Sequence, residues 1–348
     1  MKSVRKMAGL LLVGFLLLTG LLALAKAEVA YGSDIACGTT ITANTTLTHD
    51  LVCASAPGLT IGASNITLDG AGYKLIGPGF GNGVVIPYGS SVQGVTVKNL
   101  TLTGWGAVGS LDAAINISGS YPSSPGNHTI QNNTITGSAR GIWLIYTNGN
   151  TLSGNTITSS YYNGIQGVFT TNNNTISGNV ISSTTNGSGI SIGGSGNVIT
   201  GNTINSNSDR GMYLSGCTGL TVANNTVSSN GVFGIELNGC SNSTLSGNAT
   251  SSNAQDGIYL FGGSSNNTEN GNASTNNRGS GIVLWADANN NTITNNTASN
   301  NGLYTRYGIY LVGSHNNTID GNTTNSNTGS GIRLWASNNN SIKNNNIG

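Results

Sequence analysis

From residue 130 onward, apolar and polar positions repeat along the chain roughly every 23 residues. Within one copy, 257–261, Ile258 and Leu260 fall on one face of an extended strand, and two aromatic residues fall on the other face. This alternation predicts a β-strand, and no apolar spacing typical of a helix follows residue 30. Each copy begins with a glycine marker, and these markers are Gly141, Gly164, Gly189, Gly211, Gly234, Gly257, Gly281, Gly308 and Gly331.

Two further apolar positions recur between successive glycine markers. One follows a threonine, as at Leu152, and another lies two positions after an asparagine marker, as Ile157 follows Asn155. Three short strands and their Gly/Asn/Ser/Thr-rich turns account for the repeat, and units this small bury a core only by stacking. Connections between parallel strands are nearly always right-handed. The sequence therefore predicts an all-β, single-domain, right-handed, three-stranded parallel β-helix, a solenoid with an N-terminal cap.

The asparagine marker recurs in step with the glycine marker, for example at Asn155, Asn179 and Asn202. Asparagine tolerates the left-handed backbone that a tight turn requires. Its side-chain amide can also bond to the equivalent amide on the next repeat. We therefore expect a ladder of asparagine side chains along the solenoid axis.

Residues 1–27 have the pattern of a secretory signal peptide. Basic residues come first, an apolar run follows over 8–24, and Ala25-Lys26-Ala27 is a suitable cleavage site. The alternative is an uncleaved membrane anchor, but the apolar run is short and the cleavage site is good. No later apolar stretch approaches membrane-spanning length. We expect a secreted or cell-surface protein with no membrane span after signal removal.

The remaining chain divides at about residue 60. Residues 28–60 lack the glycine marker and are expected to cap the N-terminal end of a β-helix that occupies 61–348. Cysteines in an exported protein favour disulfides, so Cys37 and Cys53 are expected to bridge this cap.

The other two cysteines lie at equivalent positions of adjacent repeats. Cys217 and Cys240 each follow a glycine marker by the same interval, so stacking brings them within reach of a disulfide. The alternative is a pair of buried thiols.

The chain shows no visible cap at its C-terminal end, where it stops at 344–348. An open solenoid end exposes strand edges that can pair with another chain. Possible end-to-end self-association is therefore expected.

Composition removes some partners from consideration. Only 7% of the residues are charged and the net charge is +1. No basic patch is present to neutralise phosphates, so nucleic acid is not an expected partner. Low charge with many polar residues is also typical of disorder, but the regular apolar pattern argues against it.

The N-terminal part of the chain resembles a known family. The segments Ala36-Cys37-Gly38, Asp50-Leu51-Val52-Cys53 and 65–72 (NITLDGAG) are similar to the beginning of exported NosD-like right-handed β-helix proteins. The later repeats are similar to the β-helix repeats of that family and of carbohydrate-processing β-helices. The resemblance implies the fold strongly and the function weakly, because this fold hosts lyases, hydrolases, epimerases, adhesins and accessory proteins.

The family's named member is linked to periplasmic copper handling, and that role is not expected here. Copper is held by clustered His, Met or Cys side chains. His49, His128 and His315 are scattered along the chain, and Met212 is predicted to point into the core. We expect no metal and no cofactor.

Aromatic residues concentrate at the outward positions of the glycine-marked strands. Flat apolar rings can stack on the C–H faces of sugars, and in the carbohydrate-active relatives this sheet forms the binding groove. The alternatives are a contact with protein or with a second copy, and ordinary strand filling. The candidate ligand-binding stripe consists of Trp143, Tyr213, Tyr259, Phe261, Trp285, Tyr310 and Trp335.

Acidic residues in the repeats give only a weak candidate for catalysis. Asp209, Glu236 and Asp256 lie on successive repeats, but Glu236 is roughly 10 Å along the strand from the level of Asp256 at strand rise. Solvated turn charges are the favoured explanation for them, and no Ser/His/Asp group is apparent.

We therefore expect no catalytic residues, and a scaffold that binds an extracellular polysaccharide or another surface component. A polysaccharide lyase or glycoside hydrolase is the alternative, and a self-assembling filament or adhesin is a second one.

Glycosylation sequons are frequent because the turn residue asparagine precedes the strand residue threonine. Those that place the first asparagine outside the ladder are better candidates than ladder members such as Asn248. The candidate sites are Asn44, Asn65, Asn173, Asn242, Asn290 and Asn316.

Overall fold

A computed structural model describes residues 35–55, 57–122, 124–303 and 306–348. The expected signal peptide, 1–27, lies outside these residues. The described chain contains only strands and turns, and it holds no helix long and apolar enough to cross a membrane. Its strands form three parallel sheets of 13 strands each, so the predicted three-stranded parallel β-helix is confirmed.

The three sheets run side by side along the solenoid, and each coil contributes one strand to each sheet. Sheet 1 contains Thr40–Ile41, Leu59–Ile61, Val84–Ile86, Ile115–Ser118, Ile142–Ile145, Ile165–Val168, Ile190–Ser195, Met212–Thr218, Ile235–Asn238, Ile258–Phe261, Ile282–Trp285, Ile309–Val312 and Ile332–Trp335. Sheet 2 contains Thr45–Thr46, Thr67–Asp69, Thr96–Lys98, Thr129–Gln131, Thr151–Ser153, Thr175–Ser177, Val198–Thr200, Thr221–Ala223, Thr244–Ser246, Thr268–Asn270, Thr292–Thr294, Thr318–Asp320 and Ser341–Lys343. Sheet 3 contains Leu51–Val52, Lys74–Ile76, Thr101–Thr103, Thr134–Thr136, Thr156–Thr158, Val180–Ser182, Thr203–Asn205, Thr226–Ser228, Ala249–Ser251, Ala273–Thr275, Thr297–Ser299, Thr323–Thr324 and Asn346–Ile347. We number the coils 1 to 13 in chain order.

The β-helix begins earlier than expected. Thr40–Ile41 pairs in parallel with Leu59–Ile61, so much of the segment assigned to a cap already forms coil 1. A short strand, Ser124–Pro125, lies outside the three sheets and pairs with Thr147–Asn148 in a separate two-stranded sheet.

The core consists of stacked like residues. In sheet 2, Leu152 pairs in register with Ile176, and both side chains are fully buried. Their threonine and serine neighbours lie on the other face of the strand and are partly exposed. Met212 is buried in the equivalent stack of sheet 1, as its alternation predicts. Stacking in register buries apolar surface along the whole solenoid, at about 25 cal/mol per Å².

Asparagine ladders follow the turns, as predicted. The side-chain amide of Asn155 donates to Asn179 Oδ1 at 2.9 Å and to the carbonyl oxygen of Ile130 at 2.8 Å. The backbone N–H of Asn155 donates to the same Asn179 oxygen at 2.9 Å. These bonds satisfy polar groups that the turns bury. The ladder continues through Asn133, Asn155, Asn179, Asn202, Asn225, Asn248, Asn272, Asn296, Asn322 and Asn345.

Each coil turns a corner between sheet 1 and sheet 2, and from coil 5 onward the first residue with a left-handed backbone in this corner lies at a fixed place. This residue, which we call the corner position, comes four places after the first residue of the sheet-1 strand. Its φ lies between 49° and 88°, a region that suits glycine because glycine lacks Cβ. The corner positions are Tyr146, Phe169, Gly194, Gly216, Gly239, Gly262, Ala286, Gly313 and Ala336.

Both expected disulfides are present. The Cα atoms of Cys37 and Cys53 are 5.6 Å apart. Those of Cys217 and Cys240, on coils 8 and 9, are 4.4 Å apart. Equivalent positions on successive coils therefore lie within bridging distance, as the repeat predicts.

One core position carries a carboxyl group that the sequence pattern did not reveal. Glu269 pairs with Leu245 on one side and Ile293 on the other, inside the stack of sheet 2. Its side chain is 0% exposed, and neither carboxyl oxygen has a hydrogen-bond partner. Burial raises the pKa of Glu269 to about 8. Coil 10 is therefore built around a neutral acid at neutral pH.

Candidate functional site

The three acidic candidates lie beside the outer face of sheet 1, where Arg210 joins two of them. Arg210 Nη1 donates to both carboxylate oxygens of Asp209, at 2.9 and 2.8 Å, and Arg210 Nε donates to Glu236 Oε2. Glu236 is only 3% exposed. The guanidinium therefore neutralises a buried carboxylate and a turn carboxylate at once.

Aromatic rings surround this ion-paired group. The guanidinium carbon of Arg210 lies 4.9 Å from the ring centroid of Tyr213 and 5.9 Å from that of Phe233. Phe233 stacks on Tyr259 at 4.4 Å between centroids, and Tyr259 stacks on Phe261 at 5.8 Å. Stacked rings thus run from Phe233 to Phe261, and the Arg210 guanidinium links them to Tyr213 on coil 8.

Burial shifts the pKa values of three titratable groups at this surface, Glu236, Asp256 and Tyr259. Burial raises the pKa of Glu236, and the bond from Arg210 opposes that rise. Burial also raises the pKa of Asp256 to about 6, although the Ser280 N–H donates to Asp256 Oδ1 at 2.6 Å. Tyr259 has its pKa raised to about 12 by burial and by the charges of Asp256 and Glu236. Its phenol therefore remains protonated, whereas the raised pKa of Asp256 brings that carboxyl closer to the range suited to proton transfer near neutrality.

The predicted aromatic stripe divides into exposed and covered rings. Trp285 and Trp335 are 40% and 60% exposed, and Tyr213, Tyr259 and Phe261 are partly exposed. These residues remain available for contact with a ligand.

Two members of the predicted stripe, Trp143 and Tyr310, are buried by neighbouring side chains. The guanidinium of Arg140 lies 4.6 Å from the ring of Trp143 and covers it. Tyr310 packs against Tyr307 at 4.6 Å between ring centroids, in a small cluster with Val283. In both cases the covering side chain comes from the turn that precedes a sheet-1 strand.

A second aromatic cluster, which the sequence analysis missed, lies at the corner between sheets 1 and 2. Tyr146 and Phe169 stack with 4.5 Å between centroids and 5° between planes. Tyr121 meets Tyr146 edge-on at 5.7 Å, and Tyr88 lies 6.3 Å from Tyr146. The available signal was an aromatic residue at a position where later repeats carry glycine or alanine. We call Tyr88, Tyr121, Tyr146 and Phe169 the corner cluster.

The candidate sequons take the positions that the ladder predicts. In five of the six candidate sequons, the asparagine that would carry the glycan is exposed and has a left-handed backbone. The sixth, Asn44, is partly buried, and its side-chain oxygen accepts a bond from Thr67 N. The ladder member Asn248 is fully buried. The exposed sites are Asn65, Asn173, Asn242, Asn290 and Asn316.

The described residues do not form a copper site. No three His, Cys, Asp or Glu side chains come together among them, and the four cysteines are in disulfides. His128 is buried, with its Nδ1 accepting a bond from Val95 N, and His315 Nδ1 accepts one from Asn338 N. This donor set does not fit copper.

Comparison with solved structures finds the same fold in carbohydrate-active proteins. The mannuronan C-5 epimerase AlgE6 A-module of Azotobacter vinelandii superposes with a TM-score of 0.63 at 16% identity, covering 89% of this chain and 90% of that one. A variant of the periplasmic alginate epimerase AlgG gives 0.58 at 16%, covering 88% and 76%. The DFA-IIIase of Arthrobacter chlorophenolicus A6 gives 0.56 at 14%, covering 86% and 83%. At such identities the likeness establishes the fold alone.

Comparison with sequence families identifies the chain. No curated protein sequence matches it. Residues 188–347 match the right-handed β-helix region, and residues 43–228 match the family described as periplasmic copper-binding protein (NosD). That description and the two disulfides indicate an extracytoplasmic protein. Since the second match spans more than half of the sequence, the chain belongs to the NosD family of right-handed β-helix proteins.

Proposed function

We propose that this protein is a secreted or cell-surface β-helix that binds an extracellular polysaccharide on sheet 1 and does not cleave it. The observation that carries this proposal is the exposure of Trp285 and Trp335 along one edge of sheet 1, next to the partly exposed Phe261. Large aromatic rings left in water usually mark a contact surface. Sugar rings present apolar C–H faces that match such rings, while their hydroxyl groups suit the polar neighbours.

The fold comparisons support a polysaccharide as the ligand class. The names of two structural neighbours record action on mannuronan and alginate. A shared fold carries no activity by itself, so the neighbours indicate only the kind of polymer that can lie along such a solenoid. An assembly contact between copies of this chain, through the same rings or the C-terminal coil, is the competing use of the surface.

The acidic group favours binding over cleavage. Cleavage by two carboxyl groups needs both of them free to reach the substrate. Glu236 is buried and bonded to Arg210, and Asp209 is bonded to the same guanidinium. The alternative, a lyase or hydrolase, draws its support from the pKa of about 6 at Asp256.

Glycan-array binding by residues 28–348 tests the proposal. Replacing Trp285 and Trp335 together by alanine should weaken binding to the array ligands by at least about tenfold, because aromatic anchors dominate contact energies. Tyr73→Ala is the matched control, since Tyr73 is an exposed ring that precedes a sheet-3 strand. Normal binding by the double tryptophan variant would refute the proposal.

An assay of the array hits for reducing ends and unsaturated sugars addresses the alternative. The proposal expects no product from the wild-type chain, and Glu236→Gln should leave binding nearly unchanged. Product formation that Asp256→Asn abolishes would establish an enzyme and overturn the non-catalytic assignment.

A further inference from the structure

The corner cluster contains two aromatic residues at corner positions, where the later coils have only glycine or alanine. Tyr146 and Phe169 have φ of 49° and 62°, in the left-handed region. Bulky side chains rarely adopt this region because Cβ crowds the backbone. Coils 7 to 13 place only glycine or alanine there. The two rings therefore oppose the backbone preference of their own turn, and such strain is often retained for function.

Burial does not explain these rings either. Phe169 is 67% exposed, and Tyr121 and Tyr88 beside Tyr146 are also exposed. Tyr146 and Phe169 lie on successive coils, and their nearly parallel rings are separated by about one coil rise. Their faces consequently point along the solenoid axis, and the free face of Phe169 is directed towards coil 7. The corner position there is Gly194, which packs against Thr171 and Asn172 and projects no side chain towards the ring.

The surroundings of this free face are polar and uncharged. The turns between sheet 1 and sheet 2 in coils 5 to 10 contain no Asp, Glu, Lys or Arg, as the segments 146–150, 169–174, 196–197, 219–220, 239–243 and 262–267 show. Asn172 lies in the same turn as Phe169, and its side-chain oxygen accepts a bond from Ser195 N at 2.7 Å. A flat apolar face beside amide groups suits a sugar ring with hydroxyl groups. An anionic sugar would find no cation here to neutralise it.

We propose that the corner cluster binds a pyranose unit of an uncharged polysaccharide, with the sugar ring stacked on the free face of Phe169. This inference rests on the proposed function and specifies its ligand class. Tyr146 supports Phe169 from the N-terminal side, and Tyr121 and Tyr88 extend the apolar surface. The corner positions of coils 7 to 10 are glycines, so they project no side chain between the corner cluster and the rings of Phe261 and Trp285. A linear neutral chain can therefore contact both aromatic groups.

Affinity electrophoresis of residues 28–348 tests the inference. The gels contain a neutral β-glucan or galactomannan in one set, and alginate or polygalacturonate in the other. The protein is produced without N-glycans, so that a glycan on Asn173 cannot occupy the cluster. The wild-type chain should be retarded by a neutral polymer, and Phe169→Ala should weaken that retardation by about tenfold or more.

Folding is controlled by variants that the corner itself offers. Alanine already occupies the corner position in coils 11 and 13, so Phe169→Ala should leave Tm within about 3 °C of the wild-type value. Phe169→Gly should do the same while relieving the left-handed backbone. Ala336→Gly changes an equivalent position without removing a ring, and it should leave both Tm and retardation unchanged.

The outcomes separate the two proposals. Retardation by neutral polymers that Phe169→Ala and Phe169→Gly leave intact, or retardation by the acidic polymers alone, would overturn the corner site and leave polysaccharide binding on sheet 1 standing. No retardation by any polymer, together with no glycan-array binding, would overturn both.

Discussion

Replacing Glu269 by leucine is expected to stabilise the solenoid. It should also remove the fall in the free energy of unfolding that Glu269 causes between about pH 4.5 and 8. Glu269 lies between Leu245 and Ile293 with no partner for either carboxyl oxygen. Its pKa is raised from 4.5 to about 8, with burial as the cause. The folded chain therefore holds a proton that the unfolded chain releases. The stability associated with this proton is fully present below pH 4.5, and it is lost as the pH rises towards 8.

The size of the effect follows from the two pKa values. Between them, the free energy of unfolding falls by about 1.4 kcal/mol for each pH unit. At pH 7 the wild-type chain should therefore be about 3 kcal/mol less stable than at pH 4.5 through Glu269 alone. A leucine would match the neighbouring coils and carries no polar group to desolvate.

Urea denaturation followed by circular dichroism at pH 5, 6, 7 and 8 provides the measurement. Glu269→Gln is the matched control, because it keeps the size and polarity of the side chain but does not titrate. The unfolding midpoint of the wild-type chain should fall relative to that of the glutamine variant as the pH rises, and Glu269→Leu should be the most stable of the three. The raised pKa values of Asp256 and Glu236 affect all three proteins equally. Parallel pH profiles for the wild-type and glutamine chains would refute the reasoning.

Two further predictions concern the polar ladders. Burial lowers the pKa of His128 to about 4, because the buried site favours the neutral ring. The contribution of this ring to the free energy of unfolding is therefore fully present above pH 6.5, and about 3 kcal/mol is lost as the pH drops towards 4. His128→Asn, which can still accept the bond from Val95 N, should flatten this acid limb in thermal unfolding, and equal acid sensitivity in the variant would contradict the prediction. Asn225→Ala should cost about 2–5 kcal/mol in urea denaturation, because Asn202 N and Nδ2 lose their shared acceptor. The exposed Thr226→Ala serves as its control, and comparable losses in both variants would argue against the ladder's role.

The fold was predictable because its determinants are local and repeated. Alternation at Ile258 and Leu260 and the recurring glycine fix a strand and a turn in each copy. Stacking then follows from the need to bury the same face in every coil. The same register argument located the bridge between Cys217 and Cys240. The pairing of Thr40–Ile41, before residue 61, was not visible in the sequence because coil 1 has shorter strands and lacks the glycine marker.

The candidate site was less predictable because exposure depends on side chains from a different turn. Outward alternation places Trp143 on the surface of sheet 1, but Arg140 folds back over its ring. The exposed ring of Phe169 lies in a turn, outside the strand pattern that the sequence analysis followed. Glu269 could have been recognised, since a threonine precedes it as in most of the other sheet-2 strands. Its inward position was not predicted because only apolar residues were assigned to the core stack of sheet 2.

The spacing of the exposed sequon asparagines, in the turns before the sheet-2 strands, limits how many of them can carry a glycan. Sequons at Asn242, Asn266, Asn290, Asn316 and Asn339 begin at equivalent positions of consecutive coils. Neighbouring sites are therefore separated by only about one coil rise of 4.8 Å. A branched oligosaccharide attached to one of them sterically shields the next acceptor amide from the transferring enzyme. Repetition provides many acceptor sites but places them too close together for neighbours to be modified at once. We therefore expect any glycans on this row to lie on alternate coils rather than on every coil.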